Sequence, residues 1–275
     1  MSKIITIYCE GTSGSHDYDI LKKVIAGLSL TPTSIGGIRG AGAIIQYKET
    51  KEVVKSNFYM LFRDRDFDKP IPQNEILERD DKRDYFYYSY RNTIENYLFD
   101  TTLFFSFLEQ ESLCEECFIH SEDDVKKKFI DAAEKIKYYQ AVRHTMGKMR
   151  TGETNFGTKL TDKSGKLPKQ LDEGFCKNEA WNKIAKAKSL TDSWTENDFL
   201  KNYQDFITIF NKDFMENLHF LIYFQGKDFA SSLQSILPKN FPLESYYKFS
   251  KKHFDYHKFP DLIQLRELIE KQLNV

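Results

Sequence analysis

The segment Ile4–Gly11, with the sequence IITIYCEG, decides how the first part of this chain folds. Six β-favouring residues precede Glu10, without the alternation of apolar and polar residues that marks a strand with one face in water. Such a run predicts a strand that is covered on both faces, as in parallel sheets. The glutamate and the glycine therefore follow the carboxyl end of a buried strand.

The residues downstream continue an alternation of helix and strand. Apolar residues at helical spacing predict a helix from Ile20 to Leu28, which Thr31-Pro32 ends. A short second strand is predicted over 34–39, a second helix from Ile44 to Val54, and a buried third strand over Phe58–Phe62. This order predicts a parallel sheet with right-handed crossovers.

The predicted secondary structure changes near residue 100, from alternating strands and helices to helices alone. Tyr85–Tyr90, with the sequence YFYYSY, predicts a fourth strand after a polar stretch that contains two prolines. From Tyr97 onward long helical patterns dominate, interrupted by a Gly/Thr/Lys-rich stretch at 151–174. We therefore expect an α/β domain over residues 1–100, with a parallel sheet flanked by helices, and a mainly helical domain over residues 101–275.

Acidic residues stand just after three of the predicted strands. Glu10 follows the first, and Glu95 lies shortly after the fourth. Asp64 and Asp66 both follow the third, and on extended backbone they would project to the same side and share one hard cation. Ligands of open parallel sheets bind beyond the carboxyl ends of the strands, so the acids are expected to converge. Asp68 continues the spacing as a substitute ligand.

An isolated Asp-x-Asp is more often a polar strand end than a metal site, because the motif is so short. Here it follows a Glu-Gly after the first strand and precedes a further acid after the next strand. That combination favours a site for Mg²⁺ (or Mn²⁺), since Mg²⁺ takes a few carboxylates together with waters and phosphate oxygens.

At these residues the chain resembles the TOPRIM family, which is found in topoisomerases, primases and OLD-type nucleases. Ile4–Gly11 is similar to the family's first-strand glutamate motif, and Phe62–Phe67 to its Asp-x-Asp. The resemblance extends to AriB-type effectors of PARIS anti-phage systems, which are encoded beside ABC-type ATPases. In that subgroup a Glu-Asn-Tyr-Leu follows, here Glu95–Leu98, and later a Gly-Lys-Asp, here Gly226–Asp228.

The resemblance implies a magnesium-dependent endonuclease that is the toxic effector of a defence system. An ABC-type ATPase partner would hold it inactive. Once released, it would cleave host nucleic acid, transfer RNA or DNA, and a homodimer is a candidate for the active form. Glu10, Asp64, Asp66 and Glu95 would be catalytic, and Lys227 would offset charge on the pentacoordinate phosphate. A Gly-Lys-Asp by itself, however, is usually a turn. Outside these motifs the likeness is thin.

Several roles stay open at this point. Glu10 either binds the cation or acts as general base. Arg63 and Arg65 either contact phosphate or neutralise neighbouring acids. The family often has an aspartate four residues after the glutamate, where this chain has Gly14, and this leaves the role of Asp17 open.

The competing interpretation is a non-catalytic TOPRIM-like adaptor that docks on an ABC-type ATPase. Its acids would hold a structural ion or none, yet a binding module has no need of three carboxylates at strand ends. A primase-like polymerase would need a nucleotide pocket, and the glycines at 36–42 are not followed by the Gly-Lys-Ser/Thr of a phosphate loop.

The charge of the chain is balanced, with 40 Lys and Arg against 41 Asp and Glu, so the whole chain is not a basic nucleic-acid coat. Between residues 143 and 169, however, basic residues outnumber acidic ones, and we expect this stretch to contact phosphate. A second segment, Tyr246–Phe259, interleaves aromatic and basic residues. It predicts either base stacking or, more commonly, a helix with its aromatics in the core. The basic residues of the first stretch are Arg143, Lys148, Arg150, Lys159, Lys163, Lys166 and Lys169, and its acids are Glu153 and Asp162.

The four cysteines are few for 275 residues, so free thiols and a reducing cytoplasm are expected. Cys114, Cys117 and His120 fall on one helical face, with Cys176 as a distant fourth, but the second tight ligand pair of a structural zinc is missing. No apolar run approaches the roughly 18 to 20 residues of a membrane span, and no signal peptide is recognised, so we expect a soluble protein without membrane contact.

Overall fold

A computed structural model describes residues 5–28, 30, 33–34, 58–149, 157–162, 165–188 and 195–274. Over these residues the protein is α/β, with a mostly parallel sheet, helices, and a helical region after the last strand, as the sequence predicts. The predicted helix from Ile44 to Val54, the glycines at 36–42 and most of the predicted second strand lie outside the described residues.

Within the described residues the sheet contains five strands, in the order β2-β1-β3-β5-β4. Strands β2, β1, β3 and β5 are parallel, and β4, which the sequence does not announce, runs antiparallel to β5 at the edge. In the central pair, Ile5 lies opposite Phe58 and Tyr8 opposite Leu61. The strands are β1 (Ile5–Cys9), β2 (Thr33–Ser34), β3 (Phe58–Arg63), β4 (Glu78–Arg79) and β5 (Phe86–Tyr88).

The central strands are buried on both faces. Met60, Leu61 and Phe62 are consecutive and all at most 1 % exposed, which explains the continuous apolar run in β3. Leu61 packs with Tyr8 of β1 and Phe86 of β5. Among the described side chains, those of β1 and β3 therefore form core on both faces of the sheet.

The described helices are α1 (His16–Val24), α2 (Thr101–Gln110), α3 (Cys114–Cys117), α4 (Glu122–Met149), α5 (Glu173–Lys188), α6 (Glu196–Ile209), α7 (Lys212–Glu216), α8 (Phe220–Tyr223), α9 (Gly226–Gln234), α10 (Leu243–His253) and α11 (Pro260–Asn274), with 3₁₀ helices at Ile94–Tyr97 and Tyr256–Lys258. Helix α1 ends four residues before the predicted Leu28, because the chain turns there through Gly27 in the left-handed region.

The chain divides into two compact units. The first comprises Met1–Arg65, Pro72–Tyr90 and Lys248–Val275, and the second Asp66–Ile71 and Arg91–Tyr247. This division differs from the single boundary near residue 100 that the sequence predicts, because residues 248–275 belong to the unit that contains the sheet.

Specific contacts hold the returning segment in the first unit. Arg266 donates from Nη1 to the carbonyl oxygens of Val24 (2.6 Å) and Ala26 (3.0 Å) and so satisfies acceptors at the end of α1. Asp261 is fully buried and accepts from the Tyr90 N–H at 2.9 Å. Helix α11 is therefore part of the α/β unit.

The second unit is helical around α4, whose side chains are buried along most of its length. A cluster of aromatic rings fills its core: Phe99 lies 4.9 Å from Phe229 in an edge-to-face arrangement, and Phe104 lies 5.2 Å from Phe129. Across the described helices, none combines the length and the apolar character needed to cross a bilayer.

Candidate functional site

Two of the predicted acids stand at the ends of neighbouring strands. Glu10 directly follows β1, and Asp64 directly follows β3. The two strands are adjacent and parallel, so both acids lie at the same edge of the sheet within the first unit. Both side chains are partly exposed there. The structure thus confirms the expected position of these two residues beyond the carboxyl ends of the strands.

The loop after Glu10 is fixed by Asp17. The Asp17 carboxylate accepts from the Gly11 N–H at 2.6 Å and from the Ser15 hydroxyl at 2.5 Å. A Cβ at residue 11 would overlap Ser15 Oγ and Asp17 Oδ1, so the loop requires glycine there. The sequence leaves the role of Asp17 open, and these contacts show that Asp17 fixes the loop between β1 and α1.

The two arginines of the motif neutralise acids in the first unit. Arg63 Nε lies 2.9 Å from Glu10 Oε1. Arg65 is 0 % exposed, donates from Nε to the Ser89 carbonyl at 3.0 Å, and pairs through Nη1 with Glu78 Oε2 at 2.5 Å. Arg65 therefore links the Asp-x-Asp segment to β4 and to the residue that follows β5, and its burial removes it from contact with a phosphate.

Asp66 departs from the extended backbone that the sequence argument assumed. Its φ of 49° lies in the left-handed region, which Asp tolerates better than most residues. Asn92 holds it there, with the Asp66 N–H donating to the Asn92 carbonyl at 2.7 Å. The orientation of Asp66 relative to Asp64 therefore does not follow from strand alternation. The boundary between the two units falls just before Asp66, and Asp68 is exposed in the second unit.

Glu95 and Lys227, which are 132 positions apart, meet in the second unit. Glu95 lies in the 3₁₀ helix and is 4 % exposed, and its Oε1 is 3.4 Å from the Lys227 ammonium. Its Oε2 is buried without a hydrogen-bond donor among the described residues. Lys227 is about half exposed (49 %), so a buried carboxylate positions an accessible ammonium.

Close backbone approach makes this meeting possible. The Gly226 N–H donates to Thr93 Oγ1 at 2.9 Å, and Asn96 Nδ2 donates to the Phe224 carbonyl at 3.0 Å. A Cβ at residue 226 would stand 2.7 Å from Thr93 Oγ1 and 2.8 Å from Glu95 Cβ. Glycine at position 226 is thus a packing requirement of the Gly-Lys-Asp segment.

Asp228 is the centre of a buried polar network that sequence analysis did not find. It is fully buried, pairs with Arg143, and accepts from Gln140 Nε2 at 2.9 Å and from the Gly165 N–H at 3.0 Å. The Arg143 guanidinium also lies over the Phe67 ring, 4.3 Å from its centroid. The network anchors the loop around Gly165 to the start of α9. The only signal in the sequence is the aspartate of Gly-Lys-Asp.

The prediction that the basic residues between 143 and 169 contact phosphate is wrong for Arg143. Because Arg143 is 3 % exposed and paired with Asp228, it is not available to phosphate. Lys166 is exposed and 3.0 Å from Asp162, and Lys169 is exposed as well. For those lysines a phosphate contact stays a prediction. Arg150, Glu153 and Lys163 lie outside the described residues.

The aromatic and basic segment Tyr246–Phe259 follows the more common interpretation. Tyr246, Tyr247, Phe254 and Phe259 are buried, and Tyr246 donates to the Leu98 carbonyl at 2.6 Å. The aromatics lie mainly in the core and the lysines face outward, as in an ordinary amphipathic helix.

The cysteines of the Cys114, Cys117 and His120 cluster are free thiols. Burial raises the pKa of the Cys117 thiol to about 11, and His120 is exposed, with Nδ1 3.7 Å from Glu115. Throughout the described ranges, no group of three or more His, Cys, Asp and Glu side chains lies close enough together to hold a metal ion.

No protein-family model matches the chain, and no curated protein does so either.

Proposed function

We propose that this chain is a magnesium-dependent nuclease whose cation is held by carboxylates at the end of β1 and β3. The observation that carries the proposal is the pair Glu10 and Asp64, which end two adjacent parallel strands at one edge of the sheet. This edge is where open parallel sheets bind ligands. The glycine and aspartate that fix the loop after Glu10 keep that carboxylate in place.

The donor atoms of this pair fit Mg²⁺. Proteins usually hold Mg²⁺ through one or two carboxylates, and waters and substrate phosphates fill the remaining positions. A cage of three acids is therefore not required. Bound there, Mg²⁺ or Mn²⁺ would act as a Lewis acid on a phosphoryl oxygen and lower the pKa of a water. For Asp66, Asp68, Glu95 and Lys227, which belong to the second unit, a part in the same chemistry stays a prediction from the sequence.

The chain's own side chains have distinct parts in this proposal. Asp64 would bind the cation, and Glu10 would either bind it or accept a proton from the attacking water. Arg63 lies beside Glu10 and offsets the repulsion between the two carboxylates. Lys227, held by Glu95, presents a point charge that suits a phosphate oxygen.

The resemblance of the motifs to TOPRIM proteins extends the proposal to the biological role. It suggests a toxic anti-phage effector that is released by an ABC-type ATPase and cleaves transfer RNA or DNA. The competing function is a non-catalytic adaptor for that ATPase. The ion pair between Arg63 and Glu10 favours the adaptor in one respect, since Glu10 already has a cationic partner.

Substitution of Asp64 tests the proposal. We expect the purified chain to cleave nucleic acid in Mg²⁺ and to stop when EDTA is added, with a panel of transfer RNA, single-stranded RNA and duplex DNA as substrates. Asp64→Ala should abolish cleavage, because the cation loses a ligand, and Asp66→Ala is expected to do the same. Asp84→Ala, an exposed acid of the first unit, serves as the control and should cut at the parental rate.

Thermal melting of each variant separates chemistry from folding. An Asp64→Ala chain that melts like the parent and still cuts at the parental rate in Mg²⁺ would refute the proposal that Asp64 binds the catalytic cation. A parent that cuts none of the substrates with either cation, yet binds the ATPase, would favour the adaptor.

A further inference from the structure

A cleft of about 450 Å³ in the first unit is lined almost entirely by lysines. Helices α1 and α10 form its walls. Of the six described residues that line it, five are lysines and one is an aspartate. They are Asp19, Lys22, Lys23, Lys248, Lys251 and Lys252.

Two of these lysines hold the cleft together. Lys251 Nζ lies 2.7 Å from Asp19 Oδ2 and donates to the Gly14 carbonyl at 3.1 Å. Lys23 Nζ donates to the Lys252 carbonyl at 3.1 Å, from one wall to the other. The single acid of the cleft is thus already paired, and the walls are fixed by contacts within the first unit.

The remaining three lysines carry unbalanced charge. Lys22, Lys248 and Lys252 are exposed, and none of them forms an ion pair with a residue in the described part of the chain. The chain as a whole has a net charge of -1, so this density of positive charge is local. Lysines that face one another across a cleft repel, and an anion placed between them removes the repulsion.

We infer that this lysine cleft binds the phosphate backbone of a nucleic-acid strand. Lysine ammonium groups bind phosphate as point charges, and Lys248 and Lys252 are one helical turn apart, so the charge runs along α10 rather than in a single spot. Phe249 and His253 pack together on the same helix, with ring centroids 4.4 Å apart, and His253 is exposed. These two residues directly follow Lys248 and Lys252 in α10, and rings near a basic groove can stack on the bases of a single strand, which favours nucleic acid over an acidic protein.

The cleft is linked to the loop that follows Glu10. Lys251 donates to the carbonyl of Gly14, which belongs to the loop between β1 and α1. A backbone held in the cleft therefore lies beside the loop that positions Glu10. The inference deepens the proposed nuclease function, on which its link to cleavage rests, by naming the surface that holds the substrate.

Binding without cleavage tests the inference. The full chain and the variant Lys22→Gln/Lys248→Gln/Lys252→Gln are titrated into a fluorescein-labelled RNA hairpin, and into the DNA duplex of the same sequence, in EDTA over a series of KCl concentrations. We expect weaker binding and a log-log salt slope that is lower by about 0.7 to 0.9 for each lost phosphate contact. Lys23 and Lys251 are left unchanged because they hold the walls.

A matched control removes the same charge elsewhere. Lys127, Lys201 and Lys239 are exposed lysines of the second unit, and Lys127→Gln/Lys201→Gln/Lys239→Gln should leave the slope near the parental value. Melting temperatures of both variants should match the parent, since none of the six residues is buried.

The contrary results are distinct from one another. Parental affinity and slope in the cleft variant would overturn the inference, and so would an equal loss in both variants, which indicates only bulk charge. Poly-glutamate binding that falls while RNA binding is kept would assign the cleft to an acidic protein instead. A parent that never cleaves, with RNA binding lost only in the cleft variant, would refute the nuclease function and leave the cleft as a binding site.

Discussion

Glu10 has two neighbours that decide its behaviour, the Arg63 guanidinium and the loop that Asp17 fixes. The ion pair keeps the carboxylate at the end of β1, and the loop prevents the backbone from moving away. Because Gln has nearly the same shape and keeps an oxygen beside the Arg63 guanidinium, Glu10→Gln changes charge and basicity with little change in structure.

We expect Glu10→Gln to lower turnover by roughly 10² to 10⁴, the usual contribution of a general base. Titration calorimetry with Mg²⁺ then separates the two roles. An affinity within a few fold of the parent supports the base, whereas an affinity that falls in step with activity identifies a ligand. Parental turnover in this variant would exclude Glu10 from the chemistry.

Gly11 is restricted by contact rather than by its φ angle. Since an added Cβ would overlap both Ser15 Oγ and the Asp17 carboxylate, Gly11→Ala must displace the side chains that fix the loop. We expect a loss of about 1 to 3 kcal/mol in the free energy of unfolding, measured by urea denaturation. Gly157→Ala, at a position with open space around its Cα, is the control and should change stability little. Equal stability of the two variants would show that the loop is not fixed as described.

Helix α4 carries four buried polar residues next to one another in its C-terminal half, at positions 140, 143, 144 and 145. Gln140, Arg143 and His144 are consecutive or nearly so, and each bonds to a distant segment. His144 donates from Nε2 to the Tyr223 carbonyl at 2.8 Å, and its ring stacks on Phe206 with centroids 4.8 Å apart. Burial lowers the pKa of His144 to about 4, so the ring is neutral at pH 7.

This histidine predicts how stability depends on pH. The unfolded chain binds a proton at His144 near pH 6.5 and the folded chain only near pH 4, so the unfolded state gains protons first as the pH falls. The stability that the neutral ring contributes is present above pH 6.5 and is lost on going down to pH 4. The slope is about 1.4 kcal/mol per pH unit. His144→Gln, which keeps a donor for Tyr223, should show a flatter profile over this window in urea denaturation, whereas the exposed His253→Gln should follow the parent. Parallel profiles for parent and His144→Gln would contradict the assignment.

Local sequence patterns predict the long strands of the sheet. The features that they do not predict, such as β4 and the burial of Arg143, depend on contacts between distant residues. The runs in β1 and β3 are continuous because both faces are covered, and that is visible in sequence. Strand β4 has two residues and exists only because it pairs with β5. Arg143 counts as a surface cation in sequence, since its partner Asp228 lies 85 residues further on.

The same limit applies to the candidate site. Glu10 and Asp64 were predictable because a strand and its end are local features. The left-handed φ of Asp66 depends on a hydrogen bond to Asn92, and the residues around Asp66 do not predict this contact. The lysine cleft combines residues of α1 and α10 that are more than 200 positions apart, and α1 by itself has as many aspartates as lysines.

At the scale of the whole molecule, the return of the C-terminus decides what each unit contains. The first unit contains the sheet, which begins with β1, and also α11, so residues far apart in the sequence belong to one compact unit. The second unit lies almost entirely between these parts of the sequence, from residue 91 to 247. A defect in α11 should therefore affect the two units unequally.

Leu265 of α11 tests this dependence. It is fully buried in the first unit, between the buried Leu262 and Ile269 of the same helix face, so Leu265→Ala leaves a cavity and should lower stability by about 2 to 5 kcal/mol. In native-state hydrogen exchange, the amides of β1, β3 and β5 should lose protection because the helix that covers their unit is weakened. The amides of α4 in the second unit should keep theirs. Leu200→Ala, at a 39 % exposed position of α6, should change neither set. If α4 and the strands lose protection together, the two units unfold as one, and the C-terminal segment supports the entire chain rather than the sheet alone.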